Sequence, residues 1–435
     1  MKQLLSLLGF DVEKHSMRTE FVAGLTTFLT MSYILAVHPQ MLSDAGMDKG
    51  ALFSATAISA AVATLVMAFY AKLPFALAPA MGINAFFAYT LVITMGYTWQ
   101  EALAAVLIEG IVFILLTIFK VREVIVNAIP QNLRYSISVG IGIFIAYIGL
   151  KNGEIIVASD SSMTTLGVWS ATSILAALGV LLGAILLSQN VRGALFYTIM
   201  IVTAVGVPLG VTHLPDDFAF ISSPQSLAPI AFKFDFSRFV ALDFNYYVVV
   251  FALLFMDLLD TLGTLVGTSA SAGLVDSRIG ENRSIGRALM ADAVGTTFGA
   301  MCGTSTVTTF VESTTGVTEG GRTGLTSFWV AVWFILALFF SPLFLCIPGA
   351  ATTSALMLVG VYMMRAVTKI NLKDFTEALP SFVVMVTMPF TASISEGIVL
   401  GLISYVIIKA CTFRFKEISP IMWVLTVFFV LKYII

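Results

Sequence analysis

Five carboxylates, Glu109, Asp257, Asp260, Asp292 and Glu312, lie in stretches otherwise fit for a membrane interior. An ionisable side chain at membrane depth costs roughly 2.5–3.5 kcal/mol on insertion scales, which makes each one a functional candidate. No lysine or arginine falls deep in an apolar segment beside them. Asp257 and Asp260 are three apart and so share a helix face. One of them could meet a ligand while the other orients the site or handles a proton; the alternative is that one merely bonds a neighbouring helix. Glu312 stands between Val311 and Ser313 in the Thr- and Gly-rich run Gly303–Gly324, which hydrophobic segments flank closely. It could accept N–H groups of a bound ligand, or it could be a loop carboxylate in water. Irregular backbone at membrane depth is tolerated only where protein buries it or where it lines a wet cavity.

Other side chains could complete such a site. Asn84, in Ala78-Pro79-Ala80-Met81-Gly82-Ile83-Asn84, offers both a donor and an acceptor. Phe86 or Phe87 could stack on a planar ligand, although single phenylalanines in a chain holding 35 of them usually serve packing. Asp292 could support the site through a hydrogen bond. Glu109, followed by Gly110, could equally be a helix-packing residue. Thr26, Thr27, Thr30 and Ser32 form a hydroxyl-rich face that could line the site, but hydroxyls in helices more often bond their own backbone.

The elements that hold these residues follow from composition. The 435 residues are 58% hydrophobic and only 11% charged, with mean hydropathy +0.97, against roughly 25% charged in soluble proteins. A polytopic integral membrane protein with one membrane domain is expected. The net charge of −2 gives no basic field for nucleic acid. Cys302, Cys346 and Cys411 are scattered without CxxC spacing, and the three histidines form no ligand cluster. Neither a disulfide framework, a metal site nor a cofactor is expected. No Walker loop, GxSxG elbow or HExxH occurs, which argues against an ATP-driven pump or a hydrolase.

Apolar segments fall near 21–41, 51–71, 74–94, 100–119, 134–152, 170–187, 194–212, 245–268, 287–302, 304–320, 324–346, 351–367, 379–394 and 396–412. That reading gives fourteen all-α spans, with 379–394 weak because of Pro380 and Pro389. A last run, 420–435, is too short to span comfortably and is expected against the bilayer or the protein. With the N-terminus inside, 18 of the 23 lysines and arginines fall on the inner face and four outside. This positive-inside bias places both termini in the cytoplasm. Ile129-Pro130, Val139-Gly140-Ile141-Gly142 and Lys151-Asn152 recur loosely as Ile347-Pro348, Val359-Gly360-Val361 and Lys369-Ile370-Asn371. Fourteen spans therefore divide into two inverted repeats of seven, 21–240 and 241–412, between a cytoplasmic segment 1–20 and a C-terminal segment 413–435. The third span is broken by Pro74, Pro79 and Gly82, the tenth by its Thr and Gly content. A pair of interrupted segments at matching positions points to a transporter's binding site, with Asn84 and Glu312 as counterparts. A carboxyl group there either holds a proton or is kept ionised by water; the first state suits coupling to a proton gradient.

Asp257-Leu258-Leu259-Asp260-Thr261-Leu262-Gly263-Thr264, the run Gly303 to Ser313, Ala78 to Ala85 and the opening Phe21 to Met31 together resemble the AzgA-like branch of the nucleobase–cation symporters, over essentially the whole chain. That branch comprises adenine, guanine and hypoxanthine permeases. The resemblance implies core and gate domains, short strands in the third and tenth spans, and a site between these and the eighth span. It carries substrate contacts onto Asn84, Asp257 and Glu312, and function or coupling onto Asp260 and Asp292. The candidate substrate-binding set is thus Asn84, Asp257, Glu312, Ser313, Thr26 and Phe86. The related uracil and xanthine permeases usually carry Glu where Asp257 stands. The resemblance also implies proton symport, with Na⁺ as the alternative ion, an inner (plasma) membrane location and a homodimer. Rival readings are a uracil or xanthine permease, an anion exchanger of the same fold, a channel, and a membrane enzyme. An anion exchanger would want a cation or bare helix N-termini where this chain has carboxylates.

Overall fold

A computed structural model describes residues 2–119, 130–159, 163–214, 219–271, 283–391 and 393–434. The sequence expectations for Lys120, Arg122, Ile129 and Arg278 fall outside the described residues. The principal elements of the first half are α1 (Met17–Met31), α2 (Ile34–Ser43), α3 (Lys49–Val66, running on as a π-helix to Ala71), β1 (Leu77–Pro79), α4 (Met81–Ala85, extended by π-turns over Phe86–Thr94) and α5 (Trp99–Ile118). Helices α6 (Gln131–Asn152), α7 (Ala171–Ser188) and α8 (Ala194–Gly206) follow, with a hairpin of β2 (Ile156–Ser159) and β3 (Met163–Leu166) after α6. The second half holds α9 (Phe244–Ser271), α10 (Arg283–Cys302), β4 (Val307–Thr309), α11 (Ser313–Thr318) and α12 (Gly324–Ala337). It closes with α13 (Gly349–Met364), α14 (Phe375–Thr391), α15 (Ile394–Cys411) and α16 (Pro420–Ile434).

Seven helices among the described residues are long and apolar enough to cross a membrane, and four shorter apolar ones accompany them. The shorter ones include Met81–Thr94 and Phe375–Thr391, the segments that Pro79 truncates and that Pro380 and Pro389 interrupt. The tail α16 packs along α15.

The helices sort into two groups by packing. In one, α1 lies on α12, α3 on α10 and α12, and α5 on α9 and α10. In the other, α6 packs on α13 and α14, α7 on α8 and α13, and α14 on α15. Each half contributes equivalent elements to both groups, as an inverted repeat requires. Glycines of the recurring motif meet between α6 and α13: an added Cβ on Gly142 would lie 2.8 Å from the Gly360 carbonyl, and one on Gly360 would lie 2.6 Å from the Gly142 carbonyl. Helices α6 and α13 cross there at backbone contact, which a larger residue would prevent.

The broken segments meet in the first group. Strands β1 and β4 pair antiparallel, with Leu77 opposite Thr309, Ala78 opposite Thr308 and Pro79 opposite Val307. Hydrogen bonds from Ala80 N–H to the Thr306 carbonyl (3.0 Å) and from Phe310 N–H to the Ala76 carbonyl (2.9 Å) extend the ladder at both ends. Proline cannot donate to a ladder, and Pro79 sits at its end. Gly303, at φ +93°, turns the chain out of α10 towards β4, a conformation in which glycine avoids the Cβ clash.

Threonines on the preceding helices anchor the strands. The Thr64 hydroxyl accepts from Leu77 N–H (2.9 Å) and donates to the Leu77 carbonyl (3.2 Å). Across the two-fold, the Thr296 hydroxyl donates to the Val307 carbonyl (3.0 Å). Two strands this short could not stand alone; the hydroxyls from α3 and α10 satisfy backbone groups that lipid could not.

Candidate functional site

Side chains from four elements converge on the strand crossing. Thr309 donates to Asp292 through its hydroxyl (2.7 Å) and its N–H (3.4 Å), so α10 is bonded to β4. The Thr308 hydroxyl donates to Asp260 of α9 at 3.4 Å. The Thr306 hydroxyl donates to Glu109 of α5 at 2.7 Å. Asp257, one helical turn before Thr261, accepts that hydroxyl at 3.0 Å and is wholly buried. Thr306, Thr308 and Thr309 thus engage three of the five carboxylates, one each on α5, α9 and α10.

On the other side, Asn84 of α4 is wholly buried, receives the Ser305 hydroxyl at its Oδ1 and donates from Nδ2 to the Pro79 carbonyl (3.3 Å). The His38 ring, also wholly buried, lies 2.6 Å from the Thr304 hydroxyl. Ser313 accepts from Ala76 N–H (3.0 Å), which fixes the approach to β1 from the α11 side.

Glu312 heads α11, at the exit of the tenth break. The Tyr33 hydroxyl donates to it at 2.8 Å, from the turn between α1 and α2. Glu312 lines a cavity of about 530 Å³ together with Thr26, Thr30, Thr315, Tyr362 and Arg365, a size within the roughly 300–1,000 Å³ of small-molecule sites. Arg192 and Glu319, also in its lining, form an ion pair of 2.6 Å that joins the α7–α8 loop to the end of α11. The Thr30 and Thr315 hydroxyls lie 3.0 Å apart.

The candidates therefore divide. Glu312 and Thr26 reach the cavity wall; Asn84, Asp257, Asp260, Asp292 and Ser313 surround the strand crossing behind it. Phe86 is wholly buried in the apolar core and does not line the cavity. Thr27, Thr30 and Ser32 bond carbonyls of their own helix, Ala23, Thr26 and Leu29 respectively. Tyr33, His38, the Thr304 to Thr309 hydroxyls and the Arg192–Glu319 pair were not singled out by sequence reasoning. His38 carried a signal, being a histidine inside an apolar segment; the rest needed the fold. Among the described residues no group of three or more His, Cys, Asp or Glu is placed to hold a metal ion.

A membrane-embedded pair of crossed, interrupted segments beside a polar cavity defines a carrier protein. The chain belongs to the Xan_ur_permease family, described as a permease family, which it matches over residues 18–400. It is 41% identical to the adenine permease AdeP of Escherichia coli over 97% of this chain and 94% of that protein. To the guanine/hypoxanthine permease PbuO of Bacillus subtilis it is also 41% identical, over 97% and 98%. Among solved structures, the transmembrane domain of the cyanobacterial bicarbonate transporter BicA superposes with a TM-score of 0.65 at 16% identity, covering 88% of this chain and 97% of that one. That likeness shows a shared fold.

Proposed function

We propose that this protein imports purine nucleobases (adenine, guanine, hypoxanthine) by proton symport with alternating access. The observation that carries the reading is Glu312, held by Tyr33 on the wall of a cavity at the exit of the tenth broken segment. A neutral planar base presents N–H donors and ring acceptors. Glu312 accepts from the base, and Asp257 and Asn84 complete its recognition once the core shifts against the gate and opens the crossing to the cavity. Relatives named for adenine and for guanine/hypoxanthine support those bases over uracil or xanthine. An anion is disfavoured, because the α11 N-terminus that would receive it is headed by the Glu312 carboxylate. The cavity is lined by Arg192 and Arg365; with both termini in the cytoplasm, as the charge bias suggests, it faces inward. A homodimer in the plasma membrane completes the proposal.

The test is uptake of radiolabelled adenine, hypoxanthine, guanine, uracil and xanthine into cells lacking their own permeases, with and without a protonophore. Saturable purine uptake that the protonophore stops is expected. Uptake of uracil or xanthine alone moves the substrate to the sister branch, and no uptake of any base overturns the reading.

A further inference from the structure

Glu109 is the buried carboxylate that the substrate reading leaves without a task. A capping box, in which Thr98 and Glu101 exchange side-chain and backbone hydrogen bonds, starts α5, and Glu109 follows two turns further on. It is wholly buried and does not reach the cavity. The close packing of α5 on α10 is made by its neighbour: a Cβ on Gly110 would lie 2.7 Å from the Thr297 hydroxyl. Glu109 is therefore free of that contact and meets the tenth segment. Its Oε2 accepts the Thr306 hydroxyl at 2.7 Å, while its Oε1 has no donor among the described residues. Helix α5 packs on α9, and the wholly buried Asp257 carboxyl of α9 neighbours Glu109.

Two neighbouring carboxylates, both sealed from water, repel one another, and one proton between them converts that repulsion into a charge-assisted O–H···O⁻ bond. We propose that Glu109 and Asp257 share a single proton and that this dyad is the coupling site of the transporter, with Glu109 as its positioning member. The proposal rests on the proton-symport reading above. The other ionisable groups on elements packed against α5 are engaged elsewhere. Asp260 is bonded by Thr308 and Asp292 by Thr309. Glu101 pairs with Arg238 near the helix start, and the Arg287 guanidinium sits over the Tyr70 ring.

The dyad is wired to the strand crossing. Thr306 donates its hydroxyl to Glu109 and accepts Ala80 N–H at its carbonyl, so it links α5 to the end of the β1–β4 ladder. An incoming proton forms one O–H bond on the dyad, drawing α5, α9 and β4 together in the arrangement that receives a base. When that O–H bond breaks and the proton leaves to the opposite side, the two anions separate and the crossing loosens. No electron moves and no further reactant is needed.

The experiment has two arms on the purified full-length protein. Infrared difference spectra, wild type minus Glu109→Gln, should show loss of a carboxylic-acid carbonyl band, and Asp257→Asn should remove the same band. Glu109→Asp, which keeps a carboxyl, should retain it at a shifted position. An unchanged band in Glu109→Gln overturns the proposal, and so does loss of the band in that variant but not in Asp257→Asn. In proteoliposomes, the ratio of pH-gradient-driven hypoxanthine accumulation to hypoxanthine counterflow should fall at least tenfold in Glu109→Gln; an unchanged ratio overturns the coupling role. Should wild type show no exchange of any base, the nucleobase reading fails while the infrared arm still decides the dyad. If Glu109→Gln does not fold, Asp257→Asn supplies the same spectral test from the partner side.

Discussion

At Glu312 two interactions meet, the Tyr33 hydroxyl and the open cavity, and they make different demands on a substitution. Glu312→Gln keeps shape but exchanges an acceptor oxygen for a donor, so transport should fall at least a hundredfold with expression and melting temperature unchanged. Normal uptake by this variant removes Glu312 from the site. Tyr33→Phe deletes one hydrogen bond to a carboxylate, worth about 1.5–3 kcal/mol of stability, so the melting temperature should fall by several degrees and KM should rise as Glu312 loses its orientation. Phe86 makes the opposite case. It is wholly buried in the core, so Phe86→Ala should cost about 3–5 kcal/mol of stability without altering which base is preferred among the protein that folds. A changed base preference at normal stability would return Phe86 to the site as a stacking residue.

Among the elements, the α6–α13 crossing and the junction of α14 and α15 with the segment leading into α16 offer direct tests of the packing. Gly142→Val or Gly360→Val would force each side chain into the other helix's carbonyl. Overpacking of this kind costs roughly 1–3 kcal/mol; either variant should lower the melting temperature by several degrees, read by fluorescence-detected unfolding. At that junction, Lys409 is wholly buried between Glu377 (2.7 Å) and Glu417 (2.5 Å), joining α14 and α15 to the segment that leads into α16. Removing the cation leaves the half-buried Glu377 and the exposed Glu417 without their shared partner, so Lys409→Ala should lower the melting temperature, read by fluorescence-detected unfolding. The neighbouring pair Arg414–Asp374, at 2.5 Å, behaves differently. Hydrogen bonds from Thr376 and the Arg414 guanidinium depress the Asp374 carboxyl to about 2. A depressed carboxylate contributes stability above its unfolded range and loses it as pH falls through the folded value. Between about pH 5 and pH 8 the contribution is constant, so Asp374→Asn should leave the shape of the pH–uptake curve unchanged.

For the whole molecule, the expectation is access to the cavity from one side at a time. In a background without Cys346 and Cys411, a cysteine at Thr315 should react with an impermeant thiol reagent applied from the cytoplasmic side, and bound hypoxanthine should slow that reaction severalfold. Equal labelling from both faces would indicate a channel. The fold is shared with a bicarbonate transporter at 16% identity, so the helix arrangement does not select the cargo. This chain places carboxylates at the crossing, and the proposed function assigns cargo selection to them because carboxylates suit N–H donors.

Much of this was legible in the residues because membrane insertion is a local problem. Whether a segment can cross is settled by its own apolar length, and whether its backbone can leave the helix is settled by its own Pro, Gly and Thr content. Pro79 and the Gly303 run thus announced both breaks, and the cost of burying charge marked Glu109, Asp257, Asp260, Asp292 and Glu312. What those carboxylates touch depends on contacts between residues far apart in sequence. Tyr33 with Glu312, Thr306 with Glu109 and Thr309 with Asp292 arise only once two half-chains of opposite orientation lay β1 beside β4. The candidate set drawn with the resemblance held Phe86 and Ser313 beside Glu312. The tertiary structure separated them, because cavity exposure is a property of packing and no single segment carries it.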